Sequence, residues 1–280
     1  MITMGSLFDG IGGFPLAAVR NGITPLWASE IEAFPIEVTK HQFPDMVHVG
    51  DITKLDGSKL PPVDIICGGS PCQDLSVAGA RAGLSGERSG LFMHQIRIIK
   101  EMRNADIQRG RPAHAIRPRF GVWENVPGAY SSGDPKGADF QKVIEAFLQV
   151  AEPELHVVGP ETRRWKYTGA VLGVRSSVVW TTWDAKYLGV PQRRRRIFLV
   201  ADFAGYSPVA VLFKQDGLRR DPAQSRKSGQ GITGTPKTGV GSAGGVAGAA
   251  KWLYGIEGLS YQPEGECELP QSGNRSHPGV

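Results

Sequence analysis

The first 205 residues alternate short β-prone runs with amphipathic stretches, and this alternation constrains the fold more than any other feature of the chain. Parallel strands need long crossover connections that are usually helical, so the pattern is typical of βαβ units in an α/β protein with a mostly parallel sheet. Seven strands are predicted, at Thr3 to Phe8, Pro25 to Ser29, Met46 to Val49, Val63 to Cys67, Phe120 to Glu124, Ser177 to Trp183 and Ile197 to Ala201. Flanking helices are predicted at Phe14 to Asn21, Ala33 to His41, Gly90 to Arg103 and Asp139 to Val150.

The composition changes after about residue 205. Residues 206–280 hold 14 of the 37 glycines, and residues 228–250 are mostly Gly, Ser, Thr and Ala without periodicity. Such a segment cannot bury a core by itself. We therefore predict one large domain over residues 1–205, followed by an incomplete, partly disordered small domain over residues 206–280.

Cysteine usage and charge narrow the class of protein. Cys67, Cys72 and Cys267 form no CxxC pair and have no nearby histidine cluster, which argues against disulfides and a metal site. No apolar run approaches the roughly 18 residues of a membrane helix, and the N-terminus lacks the features of a signal peptide. We expect a cytoplasmic protein without metal or membrane partner. The net charge of +5 is compatible with a polyanionic partner.

Acidic residues follow the predicted strands at one rim of the sheet. The first strand runs into a glycine-rich turn at residues 8–14, which would let a backbone approach a cofactor closely. Glu30 closes the second strand, where an acid can accept hydrogen bonds from ribose hydroxyls, although it could also be a solvated acid before a helix. Asp51 follows the third strand. Because the turn lacks the third glycine of GxGxxG and acids tolerate a cation, a sulfonium cofactor is favoured over a dinucleotide.

A thiol lies on a glycine- and proline-containing turn directly after the fourth strand, in the sequence GGSPCQDLS at residues 68–76. In an open α/β sheet the ligand crevice lies beyond the carboxyl ends of the strands, so Cys72 is a candidate nucleophile. The alternative is a small buried hydrophobic residue, the commoner fate of a free cysteine. Position alone does not decide between them.

Four motifs in this order resemble those of the DNA cytosine-5 methyltransferase family: SLFDGIGG at 6–13, GSPCQ at 69–73, ENV at 124–126 and QRRRR at 192–196. The resemblance covers about residues 3–202. It implies a Rossmann-like methyltransferase fold, S-adenosylmethionine as cofactor, double-stranded DNA as substrate, and a phage or restriction-modification setting, with a cognate restriction endonuclease as a possible partner.

The resemblance assigns catalytic roles. Cys72 would add to C6 of a flipped cytosine and so activate C5 toward the methyl group, because C6 cannot be reached inside a stacked duplex. Glu124, at the end of an apolar strand, would be partly desolvated and would donate a proton to N3. Arg196 would hold O2, and Arg194 the phosphate or the catalytic carboxylate. The arginine run could otherwise be a solvated charge cluster.

Further residues follow from the same motifs. Those expected at the cofactor are Phe8, Asp9, Gly10, Gly12, Glu30, Ile31, Asp51, Ile52, Pro71 and Leu91. Those expected at the DNA are Gln73, Ser76, Arg88, Asn125, Val126 and Gln192. Leu91 could equally be a core residue of the following helix, and residues 78–88 are expected to form a moving lid.

The resemblance weakens toward the C-terminus. Family members continue into a target-recognition region and a Gly-Asn motif followed by an apolar helix, whereas here Ser272 to Arg275 has no such helix after it. We therefore expect a truncated recognition region. Two alternatives remain open: a catalytically inactive remnant that binds cofactor or DNA, and an RNA cytosine-5 methyltransferase.

Overall fold

The protein is described here by a computed structural model covering residues 1–71, 90–205 and 208, together with the backbone of Lys251–Leu253. Several sequence predictions lie outside the described residues. They are the roles of Cys72, Gln73, Ser76 and Arg88, the lid at 78–88, and most of the predicted small domain.

A single nine-stranded sheet forms the centre of the fold. Its strands are β1 Thr3–Leu7, β2 Thr24–Ser29, β3 Val47–His48, β4 Ile65–Gly68, β5 Phe120–Asn125, β6 Thr168–Leu172, β7 Ser177–Asp184, β8 Arg195–Asp202 and β9 Lys251–Leu253. The helices are α1 Gly13–Arg20, α2 Ala33–Gln42, α3 Gly90–Gln108 and α4 Ala138–Leu148.

The sheet has a parallel half and an antiparallel half. The strand order is β3-β2-β1-β4-β5-β8-β7-β6-β9, and the first five strands are parallel. From β5 onward each strand is antiparallel to its neighbour. The predicted α/β class with parallel strands and flanking helices is confirmed, and the antiparallel half is larger than a mostly parallel sheet implies.

The predicted number of seven strands was too low by two. All seven predicted strands are present, and the two additions are β6 and β9. The five residues of β6, TGAVL, include a glycine and are too short for a clear alternation, and the three residues of β9 follow the glycine-rich stretch. Since β9 pairs with β6, at least this part of the C-terminal region joins the sheet. The predicted domain boundary near residue 205 stays a prediction.

The core lies between the sheet and the helices α3 and α4. In α3 the apolar residues Phe92, Ile96 and Ile99 recur at helical spacing and are buried. On α4, the ring of Phe140 packs edge-to-face against Trp180 of β7, with centroids 5.4 Å apart. These contacts fix the helices against the sheet. No helix among the described residues is long and apolar enough to cross a membrane.

The carboxyl ends of the parallel strands meet at one edge of the sheet, and the sequence motifs lie there. The strand β1 leads into the glycine turn, β2 into Glu30, β4 into the turn before Cys72, and β5 ends at Glu124 and Asn125. This is the edge at which open α/β sheets bind ligands.

A close approach between β1 and β2 gives a test of this packing. A methyl group at Gly5 would overlap the indole of Trp27, which is fully buried and held by its Nε1 donating to Pro61 O at 2.9 Å. Because the ring cannot retreat, we expect Gly5→Ala to lower the free energy of unfolding by about 1–3 kcal/mol or more. Chemical denaturation measures this, with Gly13→Ala as control because a Cβ there meets no atom within 4 Å. Equal stability of the two variants would contradict the packing.

Candidate active site

An ion pair between Glu124 and Arg196 is the centre of the candidate site. The Arg196 Nε donates to Glu124 Oε1 at 2.8 Å, and both side chains are about one-quarter exposed, at 23% and 25%. The pair is therefore partly shielded from water, which strengthens it relative to a surface pair. It holds the carboxylate in one orientation while leaving Oε2 available.

Strand register explains why these two residues meet. In the antiparallel pair of β5 and β8, Glu124 lies opposite Phe198, and Arg196 is two residues away along the same face of β8. Side chains at such diagonal positions are within reach of one another when they are long. Arg195 points to the other face, where its Nε lies 4.0 Å from Asp184 Oδ2. The alternation predicted for the arginine run is thus present at these two positions.

The residues just before β8 lie on the surface. Gln192, Arg193 and Arg194 are exposed. The backbone N–H of Arg194 donates to Asp184 Oδ1 at 3.0 Å, and its carbonyl accepts from Ala185 N at 3.0 Å. The arginine that contacts the Glu124 carboxylate is therefore Arg196 and not Arg194. Of the two roles expected for Arg194, its exposed position favours contact with phosphate.

The turn after β4 approaches Glu124 from the neighbouring strand. Gly68 lies opposite Trp123 in the parallel register, and a Cβ at Gly69 would lie 3.2 Å from Glu124 Oε2. The Trp123 Nε1 donates to the buried Ser70 Oγ at 3.3 Å, and Pro71 is exposed. The chain thus reaches the carboxylate within three residues of Cys72, although Cys72 itself lies outside the described residues.

Gln95 lies beneath this turn and was missed by sequence reasoning. It is fully buried on α3, and its Nε2 donates to Val122 O at 3.0 Å. A Cβ at Gly68 would overlap its carboxamide, and its Oε1 has no partner among the described residues. Burying a polar side chain costs free energy unless it forms hydrogen bonds. The sequence feature that could have identified Gln95 is therefore its position within the mostly apolar run LFMHQIRII.

Asn125 and Val126 follow Glu124. The Val126 N–H donates to Asn125 Oδ1 at 2.7 Å. Asn125 is buried, and within the described part of the chain its Nδ2 has no acceptor. Asn125 thus shapes the end of β5 by accepting from the next backbone N–H. The expected contact of Asn125 and Val126 with DNA stays a prediction.

At the ends of β1 and β2, Glu30 organises two loops. Its Oε2 accepts from Gly10 N at 2.8 Å, and its Oε1 accepts from Ile31 N at 2.7 Å and Glu32 N at 3.0 Å. Three backbone donors fix the carboxylate, and Oε2 retains a lone pair for a further donor. The glycine turn is thereby tied to the end of β2.

The glycine turn itself needs left-handed backbone. Phe8, Gly10 and Gly12 have φ of 55°, 56° and 85°. A Cβ at Gly12 would lie 2.8 Å from the Phe43 ring, whereas at Gly10 the space is open. Gly12 is thus required for packing against Thr39 of α2 and against Phe43 just after it, and Gly10 leaves room for a ligand.

Asp9 is a buried acid within this turn. Burial raises its pKa to about 6, a hydrogen bond from Ser6 opposes the rise, and the nearby Glu30 carboxylate adds to it. Its Oδ2 has no hydrogen-bond partner among the residues described. Asp9 therefore changes charge close to neutral pH and favours a cation beside it.

The remaining predicted cofactor residues differ in exposure. Asp51 Oδ1 accepts from both the N–H and the hydroxyl of Thr53, at 2.9 and 2.8 Å, which lowers its pKa. Ile31 is 69% exposed at the rim. Ile52 is buried, and Leu91 packs against the core. The sequence left open whether Leu91 is a core residue, and its packing favours that interpretation. The expected contact of Ile52 with the cofactor stays a prediction.

Comparison with known proteins agrees with this arrangement. Residues 2–211 match the family described as C-5 cytosine-specific DNA methylase. A DNA N-6-adenine-methyltransferase of Escherichia phage P1 is 35% identical over 80% of this chain and 31% of its own length. The orphan methyltransferase M.SPRI of Bacillus phage SPR is 31% identical over 70% of this chain and 36% of its own. The chain thus spans about a third of the length of these two relatives.

Among solved structures, the S. pombe Dnmt2 methyltransferase is 16% identical, with a TM-score of 0.50 over 79% of this chain and 57% of that one. At this sequence identity the comparison shows only that the two folds are alike. The family match, in contrast, extends over most of the sequence and includes all four motifs at the carboxyl edge of the sheet. The chain belongs to the C-5 cytosine-specific DNA methylase family.

Proposed function

We propose that the chain transfers a methyl group from S-adenosylmethionine to C5 of a flipped cytosine in duplex DNA, through a covalent bond between Cys72 and C6. The observation that carries this proposal is the Glu124–Arg196 pair, with Glu124 Oε2 facing the turn that leads to Cys72. A nucleophile and an acid on adjacent strand ends are the groups that addition to a pyrimidine ring requires.

The residues would act in sequence on the base. The Cys72 thiolate adds to C6 while Glu124 donates a proton to N3, which makes C5 nucleophilic. After C5 has taken the methyl group, the C5 proton passes to water, the Sγ–C6 bond breaks to return the thiolate, and the N3 proton returns to Glu124. Arg196 keeps Glu124 in place throughout, since the 2.8 Å contact leaves the other carboxylate oxygen free to face the ring.

The carboxyl edge of β1 and β2 fits the proposed cofactor. When bound, S-adenosylmethionine supplies an electrophilic methyl on a cationic sulfonium. Glu30 keeps an oriented oxygen for a ribose hydroxyl, and the open space at Gly10 admits a ligand against the backbone. Asp9 and Glu30 place negative charge where a cation would be stabilised.

The name of the phage P1 relative gives a second candidate, methylation of adenine N6. An exocyclic amine attacks a methyl group directly and needs no covalent enzyme adduct. The family match and the cysteine turn favour cytosine, and the two reactions differ in whether Cys72 is required.

Trapping on 5-fluorocytosine tests the covalent step. Fluorine at C5 cannot leave as a proton, so the chain should form a lasting adduct with duplex DNA that contains this base, in the presence of the cofactor. Cys72→Ala should abolish the adduct, and Glu124→Gln should slow its formation by roughly 100-fold or more, because an amide cannot donate the N3 proton. Electrophoresis under denaturing conditions measures the adduct.

Cys267→Ala and Glu161→Gln are the matched controls and should behave as wild type. Digestion of methylated DNA identifies the product. N6-methyladenine that persists in Cys72→Ala would contradict the cytosine assignment, and a preference for folded RNA over duplex DNA would contradict the substrate.

Asp9 should make the stability of the fold depend on pH. Its folded pKa of about 6 lies above the ordinary value of 3.8, so its contribution to stability is present below pH 4 and is lost as the pH rises through 6. Asp9→Asn stays uncharged at every pH. As the pH rises across this window, the free energy of unfolding of the wild type should therefore fall relative to that of the variant. Denaturant titrations at pH 4.5 and 7.5 check this. A difference that does not change with pH would contradict the raised pKa.

Gln95 is expected to act as a positioning residue. Gln95→Leu removes the donor to Val122 O beneath the cysteine turn, so the turn should drift relative to Glu124 and adduct formation at saturating DNA should slow about tenfold. Gln141→Leu is the matched control. Gln141 lies on α4, away from the four motifs, and its Nε2 donates to Val157 O at 2.6 Å. A purely structural role would lower the melting temperature of both variants and leave the adduct rate unchanged.

A further inference from the structure

A second concentration of positive charge lies away from the candidate active site. Residues 97–119 contain seven Lys or Arg and two Asp or Glu, a net charge equal to the +5 of the whole chain. The remaining charges of the chain therefore balance. Eleven of these residues, 109–119, connect α3 to β5 and include four arginines and no acid, and we refer to them as the arginine loop.

The arginine loop lies at the amino edge of the parallel strands. It leads into Phe120 at the start of β5, whereas Glu124 is near the other end of that strand. Phe120 also pairs with Asp202, the last residue of the antiparallel β8, which places Asp202 at this same edge. At about 3.3 Å per residue the two edges are separated by roughly 15 Å of strand, in addition to the loops.

A single buried carboxylate holds three of the arginines. Asp106 is fully buried, and its oxygens lie 3.1 Å from Arg109 Nη1, 3.2 Å from Arg111 Nε and 3.6 Å from Arg117 Nε. The arginine side chains are 50%, 40% and 24% exposed. Asp106 accepts a hydrogen bond from Arg109 and attracts the guanidinium groups of Arg111 and Arg117. One carboxylate neutralises one positive charge, so a net excess remains at the surface.

The fourth arginine repeats this arrangement. Arg119 Nη2 lies 3.1 Å from Asp202 Oδ2, and Asp202 is fully buried whereas the Arg119 side chain is 40% exposed. Both carboxylates therefore lie beneath the guanidinium groups. The outer surface of the loop presents cations.

Neighbouring acids reduce this excess but do not remove it. Asp56 pairs with Lys59 at 3.1 Å, whereas Asp64 accepts only from the neutral N–H and hydroxyl of Thr3 and keeps its charge beside Arg119. The four arginines against Asp106, Asp202 and Asp64 leave one net positive charge. If the arginine loop needed only an anchor to the fold, one cation at Asp106 would suffice. Three guanidinium groups around one carboxylate instead concentrate positive charge and hydrogen-bond donors, which suits a row of phosphates.

We propose that the arginine loop binds the phosphate backbone of a second segment of duplex DNA while the first occupies the carboxyl edge of the sheet. The two surfaces lie on opposite edges, so one straight segment cannot contact both. The choice of duplex DNA rests on the proposed function, because a DNA substrate places further segments of the same molecule at high local concentration.

Capture of one duplex through another tests the proposal. The chain, bound to an immobilised duplex, should retain a second, fluorescent duplex in a salt-dependent manner. Arg111→Gln should weaken binding of the fluorescent duplex several-fold and lower the salt slope by about one. Because Arg111→Gln also disturbs Asp106, Ala113→Glu adds an acid at an exposed position of the loop without removing an ion pair and should have the same effect. Arg20→Gln, an equal change of charge at the end of α1, should have none.

The outcomes separate this surface from the proposed function. Protein retained on the first duplex without capture of the second, unchanged capture by Ala113→Glu, or an equal loss with Arg20→Gln would each overturn the proposal. Preferential capture of folded RNA would overturn the choice of DNA. Should the chain fail to methylate, anisotropy of a single duplex with and without Ala113→Glu still tests the arginine loop, since it requires neither cofactor nor Cys72.

Discussion

The register of β5 between β4 and β8 is the constraint on which the candidate site depends. Its parallel pairing with β4 places Gly68 opposite Trp123, and its antiparallel pairing with β8 places Phe198 opposite Glu124. A slip of one residue on either side would turn Glu124 away from Arg196 or from the cysteine turn. The burial of Trp123, with its indole donating to Ser70, opposes such a slip.

The parallel half of the sheet and the location of the site could be predicted from sequence because their signals are local. The buried run before Gly68 and the glycine turn after β1 each mark a strand end within a few residues. The alternation of Arg195 and Arg196 followed from the period of an extended chain. The strand β6 was missed because its place is set by pairing with β7 and β9 and not by its own pattern.

The contacts within the site could not be predicted in the same way. Which arginine meets Glu124 depends on the antiparallel register of β8, which no short sequence window contains. Gln95 lies 27 residues before its acceptor, Val122, and becomes informative only once α3 is packed beneath β4 and β5. The burial of Ile52 is likewise set by tertiary packing, and its position beside Asp51 in the sequence does not indicate it.

The two edges of the sheet use acids in opposite ways. At the carboxyl edge, Glu30 ties the glycine turn to the end of β2 beside the buried Asp9, and a single arginine orients Glu124. At the amino edge, Asp106 and Asp202 are completely buried and serve to orient arginines toward solvent. Burying a carboxylate costs free energy unless a positive charge lies beside it. One guanidinium group would neutralise Asp106, whereas three lie around it. The excess charge at the amino edge is therefore better explained by an external anion than by the stability of the fold.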